Sequence, residues 1–133
     1  MTTLFIDASA AVAMITHEPE DEVLVRRLGQ SGRRLSSPLA FWETTAAVAR
    51  KRKVAISEAR AAVRSFFDEF GIDIILITPE TADGALSAWG QFGKVSNHPA
   101  SLNMGDCFAY ACAMMNDARL LYKGDDFAHT NLA

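Results

Sequence analysis

The sequence predicts an α/β domain with a mainly parallel central sheet flanked by helices. Three observations carry this. Short apolar runs alternate with helical segments from one end of the chain to the other. Leu4-Phe5-Ile6 is a continuous apolar run, as expected of a strand buried on both faces of a parallel sheet. Helix-start residues stand directly behind the strand candidates. With 133 residues, half of them apolar and 22% charged, the chain has the length and balance of one globular domain over residues 1–133.

Taken in order, the first strand ends at Asp7, and the alanine-rich segment Ala8 to Ile15 reads as helix. Glu18-Pro19-Glu20 breaks the pattern. Pro19 fits the first turn of a second helix, whose stripe Val23, Leu24, Arg27 and Leu28 runs to Gly29. Arg34-Leu35-Ser36 is a short strand. Ser37 as N-cap with Pro38 at the first helical position then opens a third helix, which ends in Arg50-Lys51-Arg52-Lys53. Ser57 to Phe70 is amphipathic with an aromatic face at Phe66, Phe67 and Phe70, closed by Gly71. Ile72 to Thr78 has the clearest strand composition in the chain, and Pro79 starts a helix running to about Phe92. Gly93 to Asn103 is polar and reads as loop. Asn103 and Asp106 have the spacing of a capping box ahead of the apolar helix Cys107 to Met115. Arg119 to Lys123 is the last strand, ending in the acidic turn Gly124-Asp125-Asp126-Phe127.

Composition excludes several classes of function. No apolar run approaches the roughly 20 residues that span a bilayer. Met1-Thr2-Thr3 leads into a strand with no basic region or cleavage site, so a cytoplasmic protein without membrane association is expected. Cys107 and Cys112, five apart on one helix, point to different faces and are expected as buried thiols. His17, His98 and His129 are scattered, which gives zinc little support. A net charge of −3 argues against a generic nucleic-acid binder, but not against a nuclease whose acids gather around metal ions. The clusters Arg26-Arg27, Arg33-Arg34 and Arg50 to Lys53 are either solvated helix ends or phosphate contacts.

Most acids, such as Glu18, Glu20, Asp21, Glu22, Glu58, Asp68 and Glu69, lie in polar contexts and are expected at the surface. Four contexts differ. Asp7 follows an apolar strand, Glu43 sits in an apolar-aromatic helix beside Trp42, Asp106 opens the most apolar helix, and Asp125 and Asp126 follow the last strand. Each has a structural alternative: Asp7 and Asp106 as caps, Asp125 and Asp126 as turn formers, Glu43 paired with Arg50 or a neighbouring helix. An unpaired carboxylate in such a place is costly, so it is paired, capped or metal-bound. Together they form a hard-oxygen set suited to Mg²⁺ or Mn²⁺, and to metal-assisted attack of water on a phosphodiester.

The stretches Leu4 to Ala10, Phe41-Trp42-Glu43-Thr44, His98 to Ala111 and Leu120 to Phe127 closely resemble PIN-domain ribonucleases, in particular the VapC toxins of VapBC toxin–antitoxin pairs. The likeness runs from end to end in motif order and spacing. It implies a PIN-like three-layer sandwich and an Mg²⁺- or Mn²⁺-dependent endoribonuclease acting on RNA. It implies Asp7, Glu43 and Asp106 as the first three catalytic acids, with Asp7 and Asp106 the main metal ligands. Where the family often has a Thr-x-Asn/Asp turn, this chain reads Lys123-Gly124-Asp125-Asp126. Asp125 leads as fourth acid by its offset from the strand end, and Asp126 stays a candidate ligand. Ser9 resembles a small hydroxyl residue near the pocket, and Arg50, Lys51, Arg52 and Lys53 are candidates for the RNA backbone. The likeness further implies a homodimer and a cognate VapB-type antitoxin whose tail occupies the groove beside the pocket. Two rivals stand. A phosphoryl-transfer domain with Asp7 as nucleophile would want a second aspartate where Ser9 stands. A degenerate PIN domain would only bind its partner, which four intact acids speak against.

Overall fold

A computed structural model of the chain describes residues 2–132; Met1 and Ala133 lie outside the described residues. Four strands form one parallel sheet: β1 (Leu4–Ile6), β2 (Arg34–Ser36), β3 (Asp73–Ile74) and β4 (Arg119–Leu121), in the order β3-β2-β1-β4. Six helices surround it: α1 (Ala8–Ile15), α2 (Asp21–Gly29), α3 (Pro38–Arg52), α4 (Ile56–Glu69), α5 (Pro79–Phe92) and α6 (Met104–Met115). A short 3-10 turn at Lys94–Ser96 follows α5.

Alternation along the strands divides the interior into two layers. Leu4 and Ile6 of β1 and Leu121 of β4 pack with α1 to α4, where Met14, Leu28, Val48, Val63 and Phe67 are buried. Phe5, Leu35 and Leu120 face the opposite side and pack with α5 and α6. The result is helix, sheet, helix. The chain steps outward from β1 to β2 to β3, then crosses to β4 on the other side of β1. That reversal opens a crevice at the carboxyl ends of β1 and β4, where parallel α/β sheets take ligands.

Most boundaries fall where the sequence places them, because the capping residues are real caps. Ser37 Oγ accepts from the Ala40 N–H at 3.1 Å. Thr78 and Thr81 form a reciprocal capping box at the start of α5, and Asn103 and Asp106 form another on α6. Cys107 and Cys112 are buried free thiols, and burial raises both to about 11.

The run Ile72 to Thr78 is the largest departure. Only Asp73–Ile74 pairs, against Leu35 and Ser36, and one more bond from the Ile75 N–H to the Ser36 carbonyl ends the ladder. β3 is the sheet edge, with a single neighbour, and both of its residues are exposed; beyond it Leu76 is 80% exposed. β4 likewise stops at Leu121, two residues before Lys123. α2 begins at Asp21 rather than around Pro19. α4 begins at Ile56 with Ala55 as N-cap, so Ser57 lies inside its first turn and is exposed.

The two serines make a test of these boundaries. Ser37→Ala removes a buried cap and should cost about 1 kcal/mol, seen as a fall of about 3–5 °C in melting temperature. Ser57→Ala should leave thermal melting unchanged within about 1 °C, since Ser57 caps nothing.

Candidate active site

Asp7 leaves β1 at its carboxyl end, where its N–H donates to the Leu121 carbonyl of β4 at 3.0 Å. Its side chain caps α1: Oδ2 accepts from the Ser9 N–H at 3.0 Å and from the Ser9 hydroxyl at 2.6 Å. The Ser9 hydroxyl in turn accepts from the Lys123 N–H at 3.0 Å. One serine therefore joins Asp7 to the chain leaving β4. Asp7 is 5% exposed. Burial pushes its carboxyl up and the neighbouring Asp126 charge adds to this, against the lowering effect of the Ser9 bonds.

Asp106 is the third helical residue of α6, and its Oδ2 accepts from the Asn103 N–H at 3.1 Å. Burial raises its carboxyl to about 7, opposed by the Asn103 bond and reinforced by the Asp126 and Asp7 charges. Glu43 reaches the same crevice from α3. Burial, then the Asp7 charge, raises it to about 7. Among the described residues Glu43 forms no ion pair, so the alternative of a bridge to Arg50 is not realised.

Gly105, which the sequence quotes only within a motif, has a defined part here. A Cβ at this position would overlap the Glu43 carboxylate, beginning with Oε2. Glycine here leaves the Glu43 carboxylate its present place, which any Cβ would force it to leave. The signal was an Asn-x-Gly-Asp sequence at a helix start, but nothing in it names Glu43 as the group that needs the space.

The turn after β4 sets its two acids in different surroundings. Gly124 takes a φ of +96°, in the region that favours glycine. The following backbone places the charge of Asp126 beside both Asp7 and Asp106. Asp125 and Asp126 are both exposed, and the Asp125 carbonyl closes the turn by accepting from the Ala128 N–H at 3.0 Å. The offset from the strand end counts residues, whereas the turn sets which of the two charges acts on Asp7 and Asp106, and that charge is Asp126.

The candidate basic run is divided in its contacts. Arg52 Nη2 donates to the Ile15 carbonyl at the end of α1, at 2.5 Å. Lys53 ends α3 with a φ of 55°. Lys51 is paired with Glu18, and Arg50 is exposed.

Among the described residues no three His, Cys, Asp or Glu side chains close on one point as a finished metal site. The structure instead supplies a group of hard oxygen donors, raised by burial and by one another, whose repulsion a divalent cation would relieve. The cap bonds to Asp7 and Asp106 all fall on Oδ2. The donor set fits a hard divalent cation.

A parallel three-layer sandwich with carboxylates at its switch point is the architecture of the PIN domain, and the family model described as "PIN domain" matches residues 4–132. The VapC ribonuclease R02377 of Rhizobium meliloti (strain 1021) is 41% identical over 96% of this chain and 98% of its own length. Ribonuclease VapC42 of Mycobacterium tuberculosis is 35% identical over 97% of this chain and 96% of its own. The crystal structure of Mycobacterium tuberculosis VapC20, described as a Sarcin-Ricin loop cleaving toxin, superposes with a TM-score of 0.70. It covers 98% of this chain and 96% of its own at 16% identity, a likeness of fold. The chain belongs to the PIN-domain family, and within it to the VapC ribonucleases.

Metal-free stability should report the crowding of these acids. Glu43 and Asp106 rise from 4.5 and 3.8 to about 7, so between those limits the folded protein holds protons that the unfolded chain has released. Their stabilising effect is complete below about pH 4 and is lost as pH rises through about 7. In EDTA the protein should melt several degrees lower at pH 8 than at pH 5, corresponding to about 1 kcal/mol per group after solvent screening. Asp106→Asn keeps an oxygen for the Asn103 bond and should flatten the profile. A profile equally steep in that variant would place the effect elsewhere.

Proposed function

We propose that this VapC ribonuclease cleaves RNA phosphodiester bonds in the crevice between β1 and β4, using Asp7, Glu43, Asp106 and Asp126 with Mg²⁺ or Mn²⁺, as the toxin of a toxin–antitoxin pair. The observation that carries the reading is the grouping of acids from α3, α6 and the turn after β4 around Asp7 at the end of β1, where the charge of Asp126 acts on Asp7 and Asp106 and that of Asp7 on Glu43 and Asp106. Asp7, Asp106 and Asp126 would hold the cation. When bound, it would polarise the phosphoryl oxygens and lower the pKa of water.

The chain's own residues supply the geometry. Ser9 and Asn103 fix the orientation of Asp7 and Asp106 through Oδ2. Glu43, held against Gly105, orients the attacking water by accepting a hydrogen bond from it. Asp125 forms the turn that presents Asp126.

The partners follow from the same kinship. A VapB-type antitoxin would neutralise the enzyme by laying its tail in the groove between α2 and α4, lined by Val25, Arg26, Arg52, Phe66 and Phe70. A homodimer is supported by the exposed apolar side chains Leu86, Trp89 and Met104. Among the described residues no helix is long and apolar enough to cross a membrane, in keeping with action in the cytoplasm.

The test is cleavage of RNA by purified protein freed of antitoxin. Activity should require Mg²⁺ or Mn²⁺ and vanish in EDTA. Asp7→Asn, Asp106→Asn and Asp126→Asn should each lose about 100-fold or more in kcat, whereas Asp125→Asn stays within about threefold. Cleavage that persists in EDTA, or in both Asp7→Asn and Asp106→Asn, would refute the metal mechanism. If Asp125→Asn is the more damaged of the turn variants, the assignment of the fourth acid is wrong. Gly105→Ala should lower kcat about 10- to 100-fold by displacing Glu43, with melting changed by no more than about 2 °C.

A further inference from the structure

Glu18, expected at the surface, is the most connected acid of the chain outside the catalytic group. Its side chain is 18% exposed, with Lys51 of α3 on Oε2 and Lys123, just beyond β4, on Oε1. Lys123 also lies 3.2 Å from Glu20. The two lysines hold the Glu18 carboxyl at about 2, well below the ordinary range.

The backbone beneath Glu18 is fixed. α1 ends in a Schellman arrangement: His17 takes a left-handed φ of 56°, and the Glu18 N–H returns to the Ala13 carbonyl at 2.9 Å. His17 is not glycine, so the turn is held at some strain. Lys123 is fixed too, through its N–H on the Ser9 hydroxyl that bonds Asp7.

These groups line one open cleft with Ser9, Glu43 and Arg50. Glu18 and Glu43 are its carboxylates, and Arg50, Lys51 and Lys123 its three cations. The lysine side chains are 46% and 28% exposed, more than the carboxylate between them. An anion entering the cleft meets ammonium groups before it meets Glu18. Of three N–H donors on each lysine, Lys51 commits one to Glu18, and Lys123 commits one to Glu18 and one to Glu20. Donors remain on both.

We propose that Lys51, Lys123 and Arg50 form a phosphate-binding subsite for an RNA backbone phosphate next to the scissile one, with Glu18 as the positioning residue that holds the two lysines side by side. Without a carboxylate between them, two neighbouring ammonium groups repel and swing apart into solvent. The subsite rests on the proposal that the adjoining acids cut RNA. It adds Lys123 and Glu18, which lie outside the sequence-level basic run.

Binding of a short fluorescein-labelled single-stranded RNA of mixed sequence, followed by anisotropy as KCl is raised, tests this in the Asp106→Asn background, where binding is read without turnover. Lys123→Gln and Lys51→Gln should each weaken binding several-fold and reduce the slope of log affinity against log salt by about 0.7, the loss of one phosphate contact on a single strand. Lys123→Arg should keep the slope. Glu18→Gln is the decisive variant. Removing a negative charge from an anion site should tighten binding if charge alone matters, whereas a positioning carboxylate requires that binding weaken at least about threefold, by analogy with other single contacts. Binding by Glu18→Gln that is equal or tighter overturns the positioning role. Unchanged slopes in both lysine variants, with or without a drop in melting temperature, overturn the subsite. If the unsubstituted protein fails to cleave RNA yet the slopes shift as stated, the catalytic proposal falls while this one stands.

Discussion

The parallel pairing of β1 with β4, closed at its end by the Asp7 N–H on the Leu121 carbonyl, is the contact on which the rest depends. The register matches Ile6 with Leu121, so Asp7 leaves the sheet where the chain beyond β4 turns away, and the Ser9 hydroxyl can bond to both. The same register puts Leu120 in one core layer and Leu121 in the other. A slip of one residue would exchange them and bury the wrong face. Hydrophobic packing thus fixes the position of the catalytic backbone, although no apolar side chain takes part in the chemistry.

The four acids oppose the fold that gathers them. Burial and mutual repulsion raise Asp7, Glu43 and Asp106, which means that their charged forms destabilise the compact state. Capping offsets part of this. Asp7 and Asp106 each satisfy free helix N–H groups with one oxygen, so helix starts that need an acceptor hold carboxylates that would otherwise have no reason to be buried. Cap and ligand are therefore two uses of one side chain, divided between its oxygens. Glu43 has no such bond and depends on Gly105 for its place.

What was legible in the sequence was local. Asp7, Ser37 and Asn103 announce helix starts through bonds spanning two or three residues, and Leu4-Phe5-Ile6 announces a central strand through composition alone. Ile72 to Thr78 has the composition of a central strand, yet how far it pairs depends on its place in the sheet, and that place is a property of the whole topology. The choice between Asp125 and Asp126 turns on the backbone at Gly124, which spacing does not encode. Glu18 was hidden for a third reason: its partners lie 33 and 105 residues away, and it stands beside Pro19 and Glu20 in a stretch that looks fully solvated.

The distribution of charge resolves the apparent conflict between a net charge of −3 and an RNA substrate. Charges separated by more than about 8–10 Å are largely screened at physiological salt, so an approaching backbone responds to the cleft it enters rather than to the whole molecule. A cluster of carboxylates by itself repels a phosphate. Cations lining the cleft beside Glu43 counter that local field, and they must stay close to the acids without neutralising them. Glu18 meets both conditions by drawing Lys51 and Lys123 to itself. A lysine left free near Asp7 or Glu43 would pair with it and compete with the cation. The half-buried carboxylate at the end of α1 therefore keeps Lys51 and Lys123 paired to itself, so that carboxylates and cations line one cleft side by side.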